Sequence, residues 1–313
     1  MKKRAIIALI VAVVLILVGS TILVLGLSYA GEATVMEPAK KTYVVNDAFQ
    51  SIQIDSGICD ITLVKTDGDF RAVCPDSEKI SCAVLVEDGV LKVNAVDIRH
   101  WTDMIGINIG EMEMIVYLPE SRYDSLHIET DTGDIEIPQD FSFDSVSLLT
   151  STGDIDFTAA VVQSLTLSNS TGDIHVQDTS PTFMDIRLST GDILLENLPD
   201  CGDVRLRSST GAILAIDTTC ENLTCSSSTG DTHLTGVLVE ESLQITSTTG
   251  NVIIESSDAG FISIETDTGD VTGNFLSPKW FITDTDTGDI SVPLSREGGE
   301  CRITTNTGDV RFQ

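Results

Sequence analysis

The chain has 313 residues, 42% of them hydrophobic, which is enough for a sizeable core, but only 5% are aromatic, so that core must be built from small aliphatic side chains. Its 18 lysines and arginines stand against 48 acidic residues, a formal net charge of −30. Such a surface repels polyanions, which excludes nucleic acid as a partner and excludes simple electrostatic adsorption to an anionic membrane.

The first predicted element is apolar. Lys2, Lys3 and Arg4 precede an uncharged run from Ala5 to Leu27, long enough to span a bilayer as a helix and longer than the apolar region of a signal peptide. We read residues 1–4 as a cytoplasmic tail, 5–30 as a single-pass transmembrane anchor and 31–42 as a linker. A cleaved signal ending at Ser28-Tyr29-Ala30 is the alternative. The basic cluster ahead of the span places the N-terminus in the cytoplasm and everything beyond residue 30 outside. No Cys closes the apolar run, which argues against a bacterial lipoprotein.

Residues 43–122 carry looser strand patterns, such as Ser51-Ile-Gln-Ile-Asp-Ser-Gly57 and Met112-Glu-Met-Ile-Val-Tyr-Leu-Pro119. They predict degenerate opening rungs or a β-rich cap, with a loop over 97–110. From 123 to 313 the pattern is regular. Thr-Gly recurs in ten copies at steps of 19 or 20 residues, with glycines at 133, 153, 172, 191, 211, 230, 250, 269, 288 and 308, and Asp follows in eight of them. Seven and five residues before each glycine stand columns of Leu, Ile, Val, Met, Phe and Cys, for example Leu165 and Leu167 before Gly172. After it the apolar columns move to the second and fourth positions, as in Ile174 and Val176. Alternation of this kind is a half-buried strand, and a parity flip at glycine is a corner.

Two short strands and a return in 19 or 20 residues are too few for a crossover helix or a propeller blade. The fold expected is therefore all-β: a parallel β-solenoid of about ten regular rungs, right-handed by the usual crossover rule. Rungs stacked at about 4.8 Å would project the C-terminus roughly 45 to 50 Å along the coil. The chain stops one residue after Phe312 with no C-terminal cap visible, so its last strand edge is expected to be open, either guarded by charges such as Arg311 or available for pairing.

The Leu-Pro junction of Ile115-Val-Tyr-Leu-Pro119, followed by Leu126-His-Ile-Glu-Thr-Asp-Thr-Gly-Asp-Ile135 and its copies, resembles a bacterial membrane-anchored β-strand-repeat domain of unknown function, a family of candidate adhesins. The resemblance runs from about Tyr43 to the C-terminus. It implies a cell-envelope β-solenoid and carries over no catalytic residue.

Three features bear on chemistry. The column after glycine is acidic, and in repeats eight and nine Glu265, Asp267 and Asp270 are expected to stack under Asp284, Asp286 and Asp289. Six oxygen ligands on one corner would suit a hard cation such as Ca²⁺, the alternative being carboxylates that accept corner amides and stay hydrated. The Thr before each glycine shares the parity of the buried columns, which predicts an inward hydroxyl ladder; an outward Thr-x-Thr array would instead suggest ice binding. Seven cysteines leave at least one unpaired. Cys225 and Cys301 fall in core columns. Cys201 and Cys220 each lie ten residues before their glycine, one above the other and within disulfide range, with two reduced loop cysteines as the alternative. The pairing of Cys59, Cys74 and Cys82 cannot be read from sequence.

No catalytic constellation is present. His175 and His233 share a column three rungs apart, about 14 Å, too far for one metal, and there is no nucleophile elbow, phosphate loop or Cys/His metal spacing. The functional expectation is a non-enzymatic envelope protein whose extracytoplasmic solenoid is a spacer and binding surface for a cell-wall polymer or surface protein. The alternative is an envelope-stress sensing or regulatory module that works through a membrane partner; a β-helix polysaccharide-active enzyme ranks below both.

Overall fold

The computed structural model describes residues 39–77, 79–98 and 112–313, which form 24 β-strands. Among the described residues none is helical, and no helix is long and apolar enough to cross a membrane. The expected transmembrane anchor over 5–30 lies outside the described residues, as does nearly all of the expected loop over 97–110.

The strands before the regular repeats are β1 (Ala39–Tyr43), β2 (Ser51–Ser56), β3 (Asp60–Lys65), β4 (Arg71–Asp76), β5 (Ile80–Glu87), β6 (Val90–Asp97) and β7 (Glu113–Leu118). The repeats follow as β8 (Arg122–Thr132), β9 (Ile135–Ile137), β10 (Ser142–Thr152), β11 (Ile155–Phe157), β12 (Ala160–Thr171), β13 (Ile174–Gln177), β14 (Phe183–Thr190), β15 (Ile193–Thr210), β16 (Ile213–Thr229), β17 (Thr232–Thr235), β18 (Leu238–Thr249), β19 (Val252–Thr268), β20 (Val271–Phe275), β21 (Lys279–Thr287), β22 (Ile290–Ser291), β23 (Gly299–Thr307) and β24 (Val310–Phe312).

Each repeat pairs in parallel with its neighbours, column on column: Leu126 opposite Val146, Val146 opposite Leu165, Leu165 opposite Met184. The segments before the glycines form a first sheet and those after it a second, and the four apolar columns meet between them as one continuous core. A parallel β-solenoid is thus the fold, as the periodicity requires. The corner is equally regular. Gly172 has φ of +124°, and a Cβ on it would lie 2.1 Å from the Gly153 carbonyl oxygen. Glycine is therefore demanded twice, by the backbone conformation and by the closeness of the rung beneath.

The hydroxyl ladder departs from expectation by one step. The Thr immediately before each glycine is exposed in all ten repeats, while the residue two positions earlier is buried in all but Thr285 of the terminal rung, as in Thr130 and Thr150. Alternation ends three residues before the glycine, because the chain begins its corner there and both following side chains point out. An inward polar column does exist at the earlier position: Thr150 Oγ1 donates to Gly133 O at 3.4 Å and Asn169 Nδ2 to Gly153 O at 2.7 Å. With one Thr buried and the next exposed, no flat Thr-x-Thr face forms.

Both ends of the stack differ from the order of the sequence. β23 lies between β19 and β21, and β24 between β20 and β22, so the last repeat in the chain is inserted beneath the one before it. The expectation of an open C-terminal strand is corrected: the terminal rung is β21 with β22. That is why its core positions are poorly covered, Ile290 being 45% exposed where Ile193 and Ile213 are fully buried. The first end repeats the device. β2 lies between β6 and β8, and β3 between β7 and β9. Residues 43–122 thus supply both opening rungs and a cap, because β5 covers β6 and β4 covers β7 in antiparallel pairing, with β1 antiparallel on β4.

Candidate functional site

The acidic column after the glycines is a hydrogen-bond ladder. The backbone N–H of Asp154 donates to Asp134 Oδ1 at 2.7 Å, that of Asp173 to Asp154 at 2.7 Å and that of Asp192 to Asp173 at 2.8 Å. Asp60 begins it, donated to by the Asp134 amide at 3.0 Å. Each carboxylate thus accepts an amide from the adjacent rung, which offsets the repulsion of stacked like charges. Ala212 interrupts the series: its amide donates to Asp192 at 2.7 Å, but it offers no acceptor to Asp231.

The cation cluster expected in repeats eight and nine does not assemble. Thr304 stands between Glu265 and Asp284 in register, and Asn306 Nδ2 donates to Asp267 at 3.0 Å. Asp309 likewise separates Asp270 from Asp289, each linked to it through the amide ladder. The six carboxylates Glu265, Asp267, Asp270, Asp284, Asp286 and Asp289 therefore fall into two sets with a largely neutral rung between, and the Ca²⁺ site read from sequence order is lost with that order. Among the described residues the one His/carboxylate group with ligand atoms within 4.8 Å is Asp55, His127 and Glu129, at the junction of β2 and β8. Gln53 Nε2 holds Asp55 Oδ2 there at 3.0 Å.

The histidines stay apart as their column requires. His175, Leu194, Leu214 and His233 succeed one another on adjacent rungs. His175 lies between Glu196, at 3.1 Å from Nε2, and Asp156, at 3.4 Å from Nδ1. Cys201 and Cys220 are register partners, both buried free thiols pushed up to about 12 by desolvation. Cys225 and Cys301 occupy the core columns expected of them and are also free thiols.

The outward face of the first sheet holds what the sequence reading passed over. On β14 and β15, Asp185 and Arg187 stand in register with Arg205 and Arg207. Asp185 is 6% exposed and accepts both Arg187 Nη2, at 2.6 Å, and Arg207 Nη1, at 2.7 Å. A nearly buried carboxylate is retained here because two guanidiniums pair with it, and in return it fixes them side by side on the surface. Arg205 lies over the Phe183 ring at 5.3 Å. Around them the sheet is lined with small hydroxyls: a groove of 600 Å³ runs across Ser168, Arg187, Arg207, Ser226 and Thr246. Beneath it, Ser208 and Ser227 belong to the inward polar column, yet their hydroxyls lack a partner. A sequence signal was present, since arginine recurs four residues before Gly191 and Gly211, an outward position in adjacent rungs.

The arrangement sets directed guanidinium donors among hydroxyls on one open face. Curated proteins contain no match to this chain. Among solved structures, a candidate adhesin from Bacteroides fragilis aligns at 14% identity and TM-score 0.33, covering 89% of this chain and all of that one. A candidate lipid-binding protein from Parabacteroides distasonis aligns at 14% identity and TM-score 0.48, covering 78% of this chain and all of that one. A candidate adhesin from Parabacteroides merdae aligns at 12% identity and TM-score 0.35, over 90% of this chain and all of that one. Likeness at this level does not extend to ligands. The Toastrack DUF4097 family model matches residues 49–219 and 200–313, nearly the whole described chain, and the protein belongs to that family, a domain of unknown function.

Proposed function

We propose that this chain is a non-enzymatic cell-envelope protein, anchored by its apolar N-terminal segment, whose extracytoplasmic solenoid is a rigid spacer and presents its first sheet as a binding face. The partner that the face fits is a cell-wall polymer or surface glycan carrying an anionic substituent. The observation that carries this reading is the Arg187–Asp185–Arg207 set, which holds two guanidiniums in fixed geometry amid stacked serines. Guanidinium edges suit phosphate or carboxylate, and rows of hydroxyls about 4.8 Å apart suit sugar hydroxyls. The surrounding negative charge restricts the site to ligands whose anionic group reaches the arginines locally.

Titration of the full chain in detergent with purified wall polymer should give saturable binding that weakens with salt. Replacing Arg187 and Arg207 together by Gln should lower affinity at least about tenfold, since each loses charge-assisted hydrogen bonds. Equal binding by the double variant would remove the groove as the site. Failure of the wild type to bind, together with capture of a membrane kinase from crosslinked cells, would replace the adhesive reading with the sensing one. Protease treatment of intact cells should cleave the solenoid if it lies outside.

A further inference from the structure

Cys74 in β4 and Cys82 in β5 bring their sulfurs to 2.9 Å. The two strands belong to different halves of the N-terminal cap: β4 lies on β7 and β1, whereas β5 lies on β6. Between them Ser77 and Ile80 form a bridge. Cys74 is buried and Cys82 is partly exposed. The Cys74 thiol stabilises a thiolate on Cys82, and nearby Lys41 adds to the effect, so Cys82 is held below the usual thiol range while Cys74 is pushed up.

We propose that Cys74 and Cys82 form a disulfide site that staples the two halves of the cap. With oxidised glutathione as oxidant, the Cys82 thiolate attacks one glutathione sulfur, forming a mixed disulfide and releasing one glutathione thiolate. The Cys74 sulfur then attacks the Cys82 sulfur and displaces the second. Two electrons pass from the protein thiols to the glutathione disulfide, and the two thiol protons end on the two reduced glutathiones. A pair in contact, one member activated and partly exposed, meets the requirements of such an exchange. Cys201 and Cys220 do not meet them, because both are buried among core side chains and desolvation holds both in the thiol form.

The test uses the full chain, purified under reductant and equilibrated in a glutathione redox buffer, then acid-quenched, denatured, alkylated and peptide-mapped. The expected result is a linked peptide joining Cys74 to Cys82, with the other five of the seven cysteines alkylated. The midpoint of thermal unfolding should be roughly 5 °C higher in the oxidised protein, as for a short closed loop. Cys82→Ser should abolish that difference and unfold where the reduced wild type does. Seven alkylated cysteines under oxidising buffer, or a link between Cys201 and Cys220 with Cys74 free, would overturn the assignment. The outcome does not depend on what the first-sheet face binds, so the two proposals fail separately.

Discussion

At the scale of single residues, the acidic column shows how a position that looks functional can be structural. Asp follows glycine in eight repeats, and in all but the terminal rung's Asp289 its carboxylate accepts the amide of the adjacent rung. Ala212 is the informative exception, since the Asp231 amide lacks the carboxylate that serves its counterparts. Ala212→Asp should therefore raise the free energy of unfolding by about 1 kcal/mol in moderate salt, measured by denaturant titration. No gain at any salt concentration would mean that the ladder is a consequence of stacking rather than a source of stability. The Thr before each glycine carries the opposite lesson. Parity placed it inside, but the in/out alternation stops three residues before the glycine even though strand pairing runs on to the Thr itself.

At the scale of elements, the swapped end rung depends on a contact across three strands. Lys279 on β21 is 4% exposed and donates to Ala259 O at 2.8 Å and Ser277 Oγ at 3.1 Å, and pairs with Asp258. It reaches past β23 because the residue in register with it there is Gly299, on which a Cβ would meet Gly260 O at 2.4 Å. A lysine clamp and a glycine gap thus hold the interposed strand. Lys279→Met should destabilise the end rung by about 2 kcal/mol, because it removes a charged donor and leaves Asp258 unpaired. Hydrogen exchange should show the loss confined to β21 to β24, and uniform loss along the solenoid would contradict the clamp. Aromatic stacks mark the same boundaries: Phe49, Tyr123 and Phe143 at the capped end, Phe275, Phe281 and Phe312 at the other.

For the whole molecule, the order of stacking at each end is the main result. Placing β23 with β24, and β2 with β3, inside the stack pairs each of them on both sides and leaves β21 with β22 as the open rung at one end. At the acidic end it also interposes Thr304 and Asn306 between carboxylates that would otherwise face each other. Deletion of residues 299–313 should consequently expose β21 as well, since its parallel partner is removed, and amide protection over 279–287 should collapse in exchange measurements. Retained protection there would show β21 docked directly on β19, contrary to the stacking order seen here.

The sequence by itself determined the solenoid, its rung length, the four core columns and the glycine corners, because each follows from side-chain parity and from backbone conformations that only glycine takes readily. It also contained the arginines at outward positions, legible once adjacent rungs are aligned. Only the tertiary structure decided which rungs are neighbours at the ends, since near-identical repeats offer near-identical pairing surfaces and sequence order does not select among them. That choice dissolved the six-carboxylate cluster, because β23 lies between β19 and β21. The Asp185 bridge between Arg187 and Arg207 and the contact of Cys74 with Cys82 join consecutive strands, and they depend on side-chain geometry that local periodicity does not encode.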